Sequence, residues 1–411
     1  MKYKSNIMRL LIYFFLIFTF MPLSAQVKTG IEMLAEQDYE PLKGKRAGLI
    51  TNPTGVNSQL VSTADILHKA TQVELVALFG PEHGIRGDFS AGAKVDNIFD
   101  PHTGLPVYSL YGATRKPTPE MLEGIEILIF DIQDIGSRSY TYISTLGLAM
   151  EAAAENNIEF MVLDRPNPLG GNKFEGPLVE KEFTSFVSQF PIPYVHGFTV
   201  GELAVFLNCE GLLSHRVNLT VIEMEGWHRD MMFEDTGLPW VPASPHIPHA
   251  HSSYYYPVSG ILGELYIYNI GVGYTLPFQM VAADWIDAGK LAGRLNDLEL
   301  PGVIFRPVHY RPYYSVLKDI MVHGVQIHLK DISSAHLSLV QFYIMQELYV
   351  LYPDRNHFDL APARHDMFDK VTGSDQIRLR FSQRFMVEDI IDLWNRDTEL
   401  FVQKASEYFI Y

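Results

Sequence analysis

Between Lys45 and about Glu225 the chain repeats one pattern: a short β-branched apolar run, a cluster of Gly, Pro, Asn and Asp, then a stretch of helical periodicity. The apolar runs are Ala47 to Thr51, Val73 to Phe79, Pro106 to Leu110, Ile127 to Asp131, Phe160 to Asp164 and Leu219 to Met224. Those beginning at Val73 and Ile127 do not alternate with polar residues, as expected of strands covered on both faces. Helical patterns fall between the runs at about Ser62 to Lys69, Thr141 to Asn156 and Val200 to Leu213. Strand, helix, strand order with buried strands predicts an α/β fold built on a Rossmann-like, doubly wound, mostly parallel sheet.

Beyond Trp227 the texture changes. The stretch Pro239 to Pro257 carries Pro242, Pro245 and Pro248, together with His246, His249, His251 and three consecutive tyrosines, and this proline density predicts a structured loop. A helix is expected near Ala282 to Asn296, strands near Val303 to Tyr310 and Gly324 to Leu329, and helices near Ala335 to Leu351 and Val387 to Ile410. The irregular mixture predicts a smaller α+β domain over 231–411, following a Rossmann-like domain over 26–230. About 385 residues also exceed what one core usually fills, which favours two domains.

The first 25 residues read as an export signal: Lys2, Lys4 and Arg9, an uncharged apolar run from Leu10 to Leu23, then Ser24-Ala25-Gln26. The run is shorter than the roughly 20 residues a membrane-spanning helix needs. Cleavage after Ala25 predicts a periplasmic or secreted protein with no membrane insertion. The formal charge of −16 becomes −19 without that segment, which argues against non-specific binding to nucleic acid or to an anionic membrane surface. A single cysteine, Cys209, excludes an internal disulfide framework and a cysteine-built metal site, and its apolar helical surroundings predict a buried packing residue.

In an open parallel sheet the ligand site lies beyond the carboxyl ends of the strands. The densest polar clusters fall there: Asn52-Pro53-Thr54-Gly55, Gly80-Pro81-Glu82-His83-Gly84-Ile85-Arg86-Gly87, Asp131-Ile132-Gln133-Asp134-Ile135-Gly136-Ser137-Arg138 and Asp164-Arg165-Pro166-Asn167-Pro168. Four separate segments thus point at one rim, making Asn52, His83, Arg86, Asp131, Gln133, Asp134, Arg138, Asp164, Arg165 and Asn167 candidates for substrate contact. Glu82 ends an apolar strand between glycine and proline turns, a partly desolvated setting that suits a general acid, although a turn or capping carboxylate reads the same. Glu175, in a flexible loop just past a strand end, is the candidate for the second carboxylate that most glycoside hydrolysis needs, in competition with Asp131, Asp134 and Asp164. The arginines suit bidentate recognition of a carboxylate, or equally ion pairs with neighbouring aspartates such as Asp88, Asp131 and Asp134.

Other motifs are poorer. Gly271-Val272-Gly273 lacks the third glycine and the strand-to-helix setting of a dinucleotide loop, and neither a phosphate-binding loop nor a Gly-x-Ser-x-Gly elbow is present. His246, His249 and His251 offer three potential zinc ligands, which keeps a metal-dependent amidase or esterase in play against a loop reading. A non-catalytic exported binder of cell-wall sugars is the third alternative.

At these segments the chain resembles the exo-β-N-acetylmuramidases of the NamZ type. The resemblance runs through Gly48 to Gly55, Phe79 to Gly84, Asp131 to Gly136, Asp164 to Pro168, His196-Gly197 and Phe368 to Asp375. It implies a glycoside hydrolase that releases N-acetylmuramic acid from non-reducing ends of peptidoglycan fragments, without metal or organic cofactor, in a cleft between the two domains. It implies Glu82 and Glu175 as the catalytic carboxylates. An arginine on the rim, Arg86, Arg138 or Arg165, is then expected to read the lactyl carboxylate that distinguishes muramic acid from glucosamine.

Overall fold

The computed structural model describes residues 26–87 and 98–411; the expected export signal and Asp88 lie outside the described residues. The first sheet contains β1 (Arg46–Thr51), β2 (Glu74–Gly80), β3 (Ile98–Phe99), β4 (Pro106–Ser109), β5 (Ile127–Asp131), β6 (Glu159–Leu163) and β7 (Leu219–Ile222). Its spatial order is β3-β4-β2-β1-β5-β6-β7, parallel throughout except for the edge strand β3. Without that edge, the six parallel strands run 3-2-1-4-5-6 in chain order, so the strand sequence reverses between β1 and β5. That reversal opens a crevice at the strands' carboxyl ends, because the connections leaving β1 and β5 go to opposite faces.

Burial explains the apolar runs. All five residues of β5 and the last five of β1 are buried. One face of the sheet is covered by the helices Gly30–Glu36 and Thr63–Lys69 through Ile31, Leu34, Ala64 and Leu67. The other is covered by the helices Tyr142–Glu155 and Val200–Cys209, and this core continues without a break into the second half of the chain, through Tyr254, Val325, Phe342 and Trp394. The two parts of the chain therefore share one close-packed interior.

The second sheet is antiparallel, in the order β8 (Met280–Ala283), β10 (Val322–Leu329), β9 (Val303–Tyr310). Helices surround it, which makes this part the expected smaller α+β unit. The chain then returns to the first sheet: Phe409 stacks on Phe174, and the Tyr411 hydroxyl donates to Asp164 beyond the end of β6 at 2.8 Å.

Four local expectations are corrected. Part of the proline-rich stretch is helical, over Ala250–Gly263, with Pro257 inside the helix. Proline removes one intrahelical bond, but this helix buries eleven of its residues, and Gln341 donates to the Pro257 carbonyl at 2.9 Å, so tertiary packing overrides the local cost. Ala282 and Ala283 belong to β8, and the following helix starts only at Ala288, after the Asp287 cap. The stretch Val387 to Ile410 is broken into short helices rather than forming one. Cys209 is exposed, because it is the last residue of its helix and faces outward.

Candidate active site

The crevice between β1 and β5 is built by local hydrogen bonding. After β1 the chain turns at Asn52, whose Oδ1 accepts from the Thr54 backbone at 2.9 Å and from the Thr54 hydroxyl at 2.5 Å. The Thr54 hydroxyl oxygen in turn accepts from the Gln133 backbone N–H at 2.9 Å, which ties the two strand ends together. Asp134 then accepts from the Gly136 backbone through Oδ2 at 2.7 Å. Gly136 has φ +76°, and a Cβ there would stand 2.5 Å from Asn167 Oδ1, so only glycine allows the turn that presents Asp134.

Glu82 sits one strand away in a tight turn after β2, closed by the Gly84 N–H donating to the Pro81 carbonyl at 3.0 Å. Both His83 and Gly84 have positive φ, at 74° and 75°, an uncommon conformation for a histidine. The Tyr111 hydroxyl faces Glu82; burial first, and then that carboxylate, pushes the phenol up to about 12. Burial raises the Tyr142 phenol, which also lies within electrostatic reach of both Glu82 and Asp134. His246 feels Glu82 and His83, and desolvation pushes its imidazole below the usual range. Tyr140 joins the wall edge-on to Tyr142 and Tyr256, with ring centroids 4.9 and 5.7 Å apart.

Buried polar atoms without partners concentrate here. Asn52 Nδ2, His83 Nδ1, Asp134 Oδ1, the Tyr140 hydroxyl and both ring nitrogens of His196 lack a well-aligned hydrogen-bond partner. His196 Nε2 does approach Asp134 Oδ2, at 3.3 Å. A buried polar group left unpaired costs about 1–3 kcal/mol, so such groups gathered around one crevice signal a polar ligand that satisfies them when bound.

The other candidates are already committed to the scaffold. Glu175 accepts from the backbone of Leu337 and Ser338, the Ser338 hydroxyl and Lys173, at 2.7 to 3.3 Å. It caps the short helix Leu337–Leu339 that leads into Val340–Leu351, so both of its oxygens are held by scaffold donors. Arg138 is fully buried and donates to the carbonyls of Pro177, Ile192 and Val371 at 2.6 to 2.9 Å. Arg86 forks between Asp65 and Asp100, and Arg165 is paired with Asp131, whose second oxygen also takes the Thr63 hydroxyl. Arg86 and Arg138 thus spend all three guanidinium nitrogens on the scaffold, and Arg165 spends Nε and Nη2. Asp164 accepts from Arg165 N, Gly201 N, Thr199 and Tyr411, and burial lifts its pKa to about 7 against those donors. Gln133 and Asn167 spend their amides on backbone carbonyls, those of Asp134 and Pro166 and those of His196 and Phe198 respectively. Among the competing aspartates, only Asp134 keeps a partnerless oxygen.

The structure thus brings Asn52, Glu82, His83 and Asp134 together, and adds Tyr111, Tyr140, Tyr142, His196, His246 and Tyr256, which were not among the predicted site residues. Tyr140 and Tyr142 follow the Asp131 cluster directly, a signal available in the sequence; His246 and Tyr256 arrive from the second half of the chain and carry none. The three histidines near 250 diverge: His246 bonds Tyr314, His251 lies 3.6 Å from Glu234, and His249 precedes a helix as an exposed residue.

Comparison with known proteins converges on one family. Residues 47–251 match the family model described as exo-beta-N-acetylmuramidase NamZ, N-terminal, and residues 254–411 match its C-terminal counterpart. The chain is 45% identical over 386 residues to the peptidoglycan beta-N-acetylmuramidase NamZ of Bacillus subtilis (strain 168), covering 94% of this chain and 92% of that protein. Two crystal structures of DUF1343 family proteins from Bacteroides fragilis NCTC 9343 share the fold. One has a TM-score of 0.91 at 60% identity and the other 0.74 at 29%, each covering 94% of this chain and 99% of the other.

Proposed function

The chain belongs to the exo-β-N-acetylmuramidase NamZ family, and from that premise we propose that it removes N-acetylmuramic acid from the non-reducing ends of peptidoglycan fragments. The reaction is hydrolysis of a glycosidic bond, which needs a proton for the leaving oxygen and a second carboxylate at the anomeric centre or on the attacking water. Glu82 takes the first role and Asp134 the second. The observation that carries this assignment is the partnerless Oδ1 of Asp134, buried at the strand reversal, with Tyr142 within electrostatic reach of both Asp134 and Glu82. The Gly136 N–H holds the other oxygen of Asp134, with His196 close by.

With Arg86, Arg138 and Arg165 committed elsewhere, recognition of the lactyl carboxylate falls to neutral donors, for which Asn52 Nδ2 and the Tyr140 hydroxyl are supplied. Such donors need no desolvated countercharge, which suits a strongly acidic protein. We further place the protein outside the cytoplasmic membrane, in the periplasm or released, on the pattern of Lys2, Lys4 and Arg9, apolar run and Ser24-Ala25, and on the location of peptidoglycan. Mass analysis after incubation with a muramic acid–glucosamine disaccharide tests the activity. Equimolar free N-acetylmuramic acid and N-acetylglucosamine are expected, and an intact disaccharide retires the hydrolase reading in favour of a sugar-binding protein.

A further inference from the structure

A cavity of about 730 Å³ lies in the second half of the chain, behind the aromatic wall that Tyr140 and Tyr256 form. Its walls include His246, Tyr256, Tyr266, Phe278, Glu264 and Leu317. Tyr256 links it to the crevice wall: its ring lies edge-on to Tyr140 and 5.0 Å from Phe278, and its hydroxyl is 3.2 Å from Ser139, while His246 lies within electrostatic reach of His83 and Glu82. The two spaces differ in chemistry. The crevice gathers buried polar atoms without partners, as a site must if it grips every polar group of a terminal sugar. The cavity is mainly aromatic and aliphatic, and its polar wall residues Asn269, Glu264 and His246 are already bonded, to the Val272 and Val316 carbonyls, to Arg364 and to Tyr314 respectively.

Tyr266 is the feature that the fold itself does not explain. It is 59% exposed, among the most exposed large apolar side chains, and its φ of 57° is strained for an aromatic residue. The Arg364 guanidinium lies 4.0 Å from its ring centroid on one face and is itself fixed by two 2.6 Å bonds to the Glu264 carbonyl and carboxylate. The ring is therefore buttressed from one side, and the opposite face is left for a ligand. Apolar C–H faces of pyranose rings pack on such aromatic faces.

We infer that this cavity is the subsite for the sugar on the leaving side of the scissile bond, with the Tyr266 ring as its platform. The inference rests on the glycosidase reading and extends it: the crevice holds the departing muramic acid, and the cavity holds the neutral amino sugar to which it was attached. Binding energy from that second sugar then positions the glycosidic oxygen beside Glu82.

The test compares full-length wild type, Tyr266→Ala and Tyr266→Trp on two substrates. One is the muramic acid–glucosamine disaccharide, and the other is N-acetylmuramyl fluoride, whose single-atom leaving group cannot occupy the cavity. Tyr266→Ala is expected to lower kcat/KM on the disaccharide by roughly ten-fold and to leave the fluoride almost unchanged, whereas Tyr266→Trp keeps both. Equal effects on the two substrates, or an undiminished disaccharide rate in Tyr266→Ala, overturn the subsite while leaving the hydrolase intact. A wild type that turns over neither substrate overturns both readings.

Discussion

His196 Nε2 stands 3.3 Å from Asp134 Oδ2, with both side chains buried, while the remaining carboxylate oxygen of Asp134 has no partner at all. Every other aspartate in the rim motifs has its oxygens filled by arginine, hydroxyl or backbone donors. A backbone N–H from Gly136 fixing one oxygen and an open position on the other are what a carboxylate acting on an anomeric carbon or a water needs.

Glu82→Gln and Asp134→Asn are therefore expected to fold normally and each lose on the order of 10² to 10⁴ in kcat/KM on a disaccharide. Their responses to the leaving group should part. A nitrophenolate departs without protonation, so the Glu82→Gln enzyme should recover on a nitrophenyl muraminide, and the Asp134→Asn enzyme should not. Steady-state rates on both substrates check this, and equal recovery by the two variants reverses or merges the roles.

Tyr140→Phe should separate stability from activity. The ring that packs on Tyr142 and Tyr256 is retained, and only a buried hydroxyl without a well-aligned partner is removed. Deleting an unsatisfied polar group is neutral or stabilising for the free protein, while a ligand that bonded it loses roughly 1 kcal/mol or more. Thermal melts should thus hold or rise while kcat/KM falls several-fold. A lower Tm with unchanged activity contradicts the assignment.

The strand cores and their polar ends were legible because burial on both faces leaves an apolar run and a strand end leaves a turn; β5 was bounded to the residue and β1, β2 and β6 to within one. The turn that carries Glu82 was legible for the same reason. What one dimension cannot carry is which polar groups are already satisfied. Glu175 and Asp134 both follow strands in glycine-rich segments, yet Glu175 is filled by donors from Leu337 and Ser338, 162 and 163 positions away. Arg138 was misread likewise, since its carbonyl partners come from three distant segments. His246 and Tyr256 reach the site only because the second half of the chain shares a core with the first.

Acid sensitivity should arise in part from His357, in the second half of the chain. It is fully buried, its Nδ1 lies 2.5 Å from the Tyr268 hydroxyl and its Nε2 2.7 Å from the Met345 carbonyl, a pairing that fits the neutral ring with Nε2 protonated. Burial pushes its pKa down to about 4. A histidine depressed on folding takes up its proton more readily when unfolded, so this contribution is present above about pH 6.5 and is lost as pH falls from there toward 4. The loss is on the order of 3 kcal/mol over that window. Urea melts from pH 7 to 4 should show it, and a His357→Gln variant, less stable at neutral pH, should show a flatter profile across the same range. Parallel profiles for the two proteins would assign the acid sensitivity elsewhere.

Glu175 offers the sharpest contrast with Glu82, because the same chemical change should act on different properties at the two sites. Its Oε2 accepts from both the backbone N–H and the hydroxyl of Ser338, and its Oε1 accepts from the Leu337 N–H and Lys173. The Ser338 hydroxyl oxygen also accepts from the Trp394 indole at 3.0 Å, so one carboxylate links the Lys173 loop, a helix start and a buried tryptophan of the last segment. Glu175→Gln replaces one acceptor oxygen by an NH₂ group that must face a backbone N–H, and it leaves Lys173 without its carboxylate. Each buried donor so orphaned costs about 1–3 kcal/mol. The expected result is a Tm lower by several degrees, with kcat/KM at 25 °C within about two-fold of wild type because no group of the crevice is touched. Glu82→Gln should do the reverse, keeping Tm and losing turnover. If Glu175→Gln instead melts like wild type and loses a hundred-fold or more in kcat/KM, Glu175 belongs to the chemistry, and the division between scaffold and site drawn from these hydrogen bonds is wrong.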